Sequence, residues 1–68
     1  MSITIEEAVE EINKLESGTG TEFEGSNLNH LYKFLDENRE PLSIREMEHH
    51  TESLTGYNNI DKILVSKY

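Results

Sequence analysis

The chain has 68 residues, no cysteine and a formal net charge of −8. That length allows one domain, spanning residues 1–68, with a core too small to enclose a large desolvated pocket. Missing cysteines exclude disulfides and Cys-based zinc sites, and the acid excess opposes any role that depends on neutralising phosphates. Stability then rests on well-formed helices or on self-association, so a homodimer is expected.

The first element follows from spacing. Ile5, Ala8, Val9, Ile12 and Leu15 recur every three or four residues and predict an amphipathic helix over about residues 5–16. Thr4 and Glu7 have capping-box spacing, and Gly18 is a natural stop. The polar face carries Glu6, Glu7, Glu10 and Glu11, where only Lys14 is placed to pair, with Glu10. Across residues 1–25, seven acids stand against Lys14 alone.

Residues 17–25, SGTGTEFEG, set Phe23 between two glutamates inside a frame of glycines. The Walker spacing and its Lys-Ser/Thr are absent, and Glu22 and Glu24 would repel a phosphate. The stretch reads as a linker or as a short edge strand around residues 21–24. A second helix is predicted over about residues 27–38, with Leu28, Leu31, Tyr32 and Leu35 on one face, Phe34 broadening it, and Ser26 or Asn27 as cap.

After ENREP, Ser43 and Glu46 repeat the capping-box spacing, and Ile44, Met47 and Leu54 are expected to point inward from a third helix. Beyond Gly56, the positions Tyr57, Ile60, Ile63 and Leu64 form the stripe of a fourth, capped by Asn58 or Asn59. Together these elements predict an all-α, four-helix domain.

The chemistry-bearing residues are sparse. Glu46, His49 and His50 would lie close on the third helix, but the two histidines project about 100° apart, so they read as surface residues rather than metal ligands. No Ser-His-Asp order or poised acid pair is legible, and neither an enzyme nor a cofactor is expected. No apolar run is long enough to span a membrane, and Met1 to Ile5 lack the pattern of a signal peptide, so a cytoplasmic protein is expected.

The segment LYKFLDENREPLSIREMEHHTESLTGYNNIDKIL resembles the helix-turn-helix core of winged-helix regulators, over about residues 28–66. The resemblance implies a DNA-binding regulator whose reading positions are Tyr57, Asn58, Asn59 and Lys62. Charge argues the other way, because phosphate neutralisation supplies most of the affinity for DNA and few cations are present. In size, acidity and lack of catalytic motif, the whole chain resembles the small acidic proteins that bacteriophages direct against host machinery, some of which imitate DNA. Helix neighbours four residues apart stand about 5–6 Å apart, not far from the spacing of phosphates on a strand. That resemblance implies an inhibitor of a basic, nucleic-acid-binding host protein, such as a nucleoid protein or RNA polymerase, in the bacterial cytoplasm. Its contacts would be Glu6, Glu7, Glu10 and Glu11, with Glu22 and Glu24. The alternatives are the regulator and an antitoxin-like protein-binding module.

Overall fold

The computed structural model describes residues 3–25, 28–51 and 60–68. In chain order they form helix α1 (Ile5–Lys14), strand β1 (Gly20–Glu24), helix α2 (Asn29–Glu37), strand β2 (Ile44–Thr51) and strand β3 (Ile60–Lys67). The strands make one antiparallel sheet in the order β1-β3-β2. An all-α, helix-turn-helix-like domain is therefore the wrong fold class: the described parts of the segments read as third and fourth helices are strands.

The cause of that error is local. Ile44 and Met47 share a spacing of three, which suggests a helix, but both point inward from a strand because Arg45 is an extra residue. Ile44 faces Lys67 and Glu46 faces Ser66, so two residues of β2 oppose one step of β3. The same thing happens at the other end, where Thr51 faces Ile60 and His50 faces Lys62, leaving Asp61 as the extra residue. Ile60 and Ile63 are thereby both buried at a spacing of three. Between the two irregularities the strand alternation is regular. Ile63 and Val65 are buried, while Leu64 lies on the opposite face and is half-exposed.

Both helices pack on the sheet face that carries Phe23, Ile63 and Val65. Ala8 and Ile12 of α1 join Leu28, Leu31 and Leu35 from the α2 region in one apolar cluster with those residues, Ile44 and Ile60. Tyr32 of α2 meets the His49 ring of β2 edge-on, with centroids 4.4 Å apart. Leu28, Leu31 and Leu35 are interior, so the leucine face of α2 is spent on this core.

The termini of α1 show how sequence and tertiary structure share the work. At its start, the Thr4 hydroxyl accepts from the Glu7 N–H at 3.2 Å and Glu7 Oε1 accepts from the Thr4 N–H at 3.4 Å, a capping box. At its end, no glycine stops the helix; Gly18 lies in the following turn with φ +84°. Instead the Lys67 ammonium reaches from β3 to the carbonyl oxygens of Ile12, Asn13 and Leu15 at 3.4, 3.4 and 3.2 Å. A cation at the negative end of the helix dipole pins α1 to the sheet.

In helix α2, Leu28 holds the N-cap position with no side-chain hydrogen bond, and the expected caps Ser26 and Asn27 lie outside the described residues. The start of α2 is tied to β3 instead, by Leu28 N–H donating to Ile60 O at 2.7 Å and Ile60 N–H donating to Asn29 Oδ1 at 2.9 Å. Ser43 caps no helix either; it occupies the left-handed region at φ 57° in the turn into β2.

Close approach fixes one glycine. A Cβ at Gly20 would stand 2.8 Å from the Val65 carbonyl oxygen, a backbone atom of the central strand. Gly20→Ala is expected to destabilise the fold by about 1–3 kcal/mol, the usual range for overpacking a fitted contact. Urea denaturation of the two proteins measures it, and an unchanged midpoint would mean that β1 shifts freely against β3.

Candidate partner-binding surfaces

The expected acidic site divides into two. Glu6, Glu7, Glu10 and Glu11 are exposed along α1, on the helix layer. Glu22 and Glu24 flank the buried Phe23 in β1, so their carboxylates project from the open face of the sheet, on the far side from α1. The six acids do not share one surface.

The open sheet face has acids that the helix reading concealed. Glu46 and Glu48 alternate with the inward Met47 and therefore join Glu22 and Glu24. Leu64 sits between Glu22 on one side and Glu48 on the other. Strand geometry spaces the two carboxylates within each edge strand about 6.7 Å apart at Cα, and the two edge strands about 9.5 Å apart. A sequence search could have found this set from the alternation EME in β2, which matches EFE in β1.

Lys62, the one described member of the expected DNA-reading set, is on the central strand of this acidic face, between Glu24 and His50 at one end of it. Its ammonium lies 3.6 Å from Glu22 Oε1 and 3.3 Å from Glu24 Oε1. It lies on a strand beside two carboxylates and not on a helix. Tyr57, Asn58 and Asn59 lie outside the described residues, as does Leu54.

These contacts shift the charges involved. A side-chain hydrogen bond from Glu22, then the hydrogen bond and charge of Lys62, hold the Glu24 carboxyl below the ordinary value of 4.5. The Glu24 hydrogen bond and the charges of Glu22 and Glu24 hold Lys62 above 10.5. A lowered carboxyl favours the fold above pH 4.5 and loses that effect as pH falls through its folded value; a raised ammonium favours it below pH 10.5 and loses it as pH rises further. Glu24 is exposed and Lys62 is half-exposed, so solvent screens the pair and the effect on stability is small. Lys62→Gln is expected to move the Glu24 titration midpoint upward, as followed by carboxyl NMR. An unmoved midpoint would show that the ion pair does not form in solution.

The histidines are separated by the sheet. His49 faces the helix layer against Tyr32, while His50 is on the open face opposite Lys62. Among the described residues, no three potential ligands from His, Cys, Asp and Glu come together as a metal site.

Between α1 and α2 lies an open groove of about 620 Å³. Ile5, Val9 and Phe34 supply its apolar surface, and Glu6, Glu10 and Lys14 run along its edge. Glu10 and Lys14 form an exposed ion pair at 3.2 Å. Among the described residues no helix is long and apolar enough to cross a membrane. No protein-family model, no curated protein and no solved structure matches this chain.

Proposed function

We propose that the protein is a non-enzymatic inhibitor that binds a basic, nucleic-acid-binding surface of a bacterial host protein, with the carboxylates of α1 standing in for phosphates. The observation that carries this reading is the α1 row itself. Glu6, Glu7, Glu10 and Glu11 are all exposed on a helix anchored at both ends, and among the described residues only Glu10 has an ion-pair partner. On the open sheet face, by contrast, Glu22 and Glu24 both share Lys62, which reduces the field they present.

Such a row attracts cations over about 8 Å in physiological salt and suits a groove of Lys and Arg that otherwise holds a duplex. Direct DNA binding is disfavoured on the same ground, with the proposed reader Lys62 engaged and the net charge at −8.

The test is displacement. A labelled duplex held by a basic nucleoid protein should be released as the chain is added, with release weakening as salt rises. Retention of the duplex at every protein concentration, or binding of the free duplex by the chain, would refute the reading.

A further inference from the structure

The apolar stripe of α1 is wider than the core needs. Of its members, Ala8 and Ile12 are fully buried, whereas Ile5 remains 37% exposed and Val9 is half-buried. The half-buried Phe34 of α2 faces this remainder across the groove. We infer that this groove docks a basic amphipathic helix of the partner protein. The inference rests on the reading above and specifies what the partner presents.

Three features define the occupant. Ile5 and Val9 are one turn apart, and the groove follows α1 from Ile5 to Asn13, a length of about 12 Å at 1.5 Å per residue. That matches about two turns of a helix laid alongside, whose apolar residues at i and i+4 would cover Ile5, Val9 and Phe34. Glu6 and Glu10 form a parallel rail at the same spacing, so Lys or Arg on the flank of the incoming helix meets carboxylates while its apolar stripe is buried.

The charge also gives a direction. Glu6 makes no ion pair among the described residues, and the Glu10–Lys14 pair is exposed enough to exchange partners, whereas Lys14 repels cations at the far end. The partner's basic residues therefore gather toward the N-terminal end of α1. A second copy of this chain fits poorly, because it brings another charge of −8 and the same carboxylates to the rim. An uncharged apolar ligand would leave Glu6 without an opposite charge among the described residues.

The test uses the full chain and three synthetic 18-residue peptides: one with a Leu stripe and a Lys flank, one with the same stripe and a Glu flank, and one with Lys but no stripe. Fluorescence anisotropy should show the Leu/Lys peptide binding at least tenfold more tightly than either of the others. Backbone amide NMR should place its shifts at Ile5, Val9 and Phe34. Val9→Ser should weaken it at least fivefold at unchanged helix content; should that variant unfold, the shift map on the parent chain decides alone.

Equal binding of the two Lys peptides would overturn the groove and leave the electrostatic reading of α1 standing. Equal binding of the Leu/Lys and Leu/Glu peptides would make the groove a purely apolar site and overturn the basic partner. Shifts confined to the open sheet face, or sedimentation showing that a second copy already fills the groove, would also overturn it.

Discussion

Ile63→Ala is expected to remove about 2–5 kcal/mol of stability, the range for truncating a fully buried aliphatic side chain where the surroundings cannot collapse. Ile63 is wholly inaccessible, sits in the central strand, and is paired with Phe23 on one side and His49 on the other. A domain of this size has about 3–10 kcal/mol in total, so the variant should be largely unfolded in modest urea. Its neighbour provides the contrast. Leu64 projects from the open face between Glu22 and Glu48 and is half-exposed, so Leu64→Ala should lower stability by about 1 kcal/mol or less. Two adjacent residues with such different costs are the mark of a strand. A helical stripe holding Ile63 and Leu64 together would make both substitutions severe, and comparable urea midpoints for the two variants would contradict the sheet.

That pair also shows why part of the fold was hidden in the sequence. The first helix was legible because its signals are local: the Thr4 and Glu7 capping box and an unbroken stripe lie within a dozen residues. Phe23 between two glutamates offered a short edge strand, beside a linker, for the same reason. In β2 and β3, however, the residues Arg45 and Asp61 interrupt the alternation, and each interruption sets two inward-facing residues three apart. A period of three imitates a helix. The counter-signal was the β-branched content of Ile60, Ile63 and Val65, which favours a pleated surface, with Val65 buried where a helical stripe had no place for it.

The binding surfaces were legible as charges but not as surfaces. The α1 row needs only helix periodicity, so its four glutamates could be grouped from the sequence. The partition of Glu22 and Glu24 away from them depends on pairing between β1 and β3, some forty residues apart in the chain. Glu46 and Glu48 join them only through the second pairing, of β2 with β3. No local pattern contains that information. The groove was hidden for a different reason: a five-member stripe reads as core throughout, and only packing shows that Ile5 and Val9 are left over.

The larger functional effect is expected from replacing Glu6, Glu7, Glu10 and Glu11 together by Gln. The fold should tolerate the change, because all four are exposed and Gln is a fair helix former. Gln also serves at the third position of a capping box, so the bond to the Thr4 N–H is kept, and the exposed Glu10–Lys14 pair is worth about 0.3–0.5 kcal/mol. Binding is another matter. Four exposed ion pairs with a basic partner at about 0.5–1 kcal/mol each amount to about 2–4 kcal/mol, or roughly 30- to 700-fold in affinity. The concentration needed to release a duplex from a basic nucleoid protein should rise by that factor, and the dependence of release on salt should flatten. Glu46→Gln with Glu48→Gln, which removes charge from the open sheet face alone, should change release by less than threefold. Because the sheet separates the two rows, the variants assign the working surface: equal losses from both would reduce binding to net charge. A loss confined to the sheet pair would move the site to the face around Leu64.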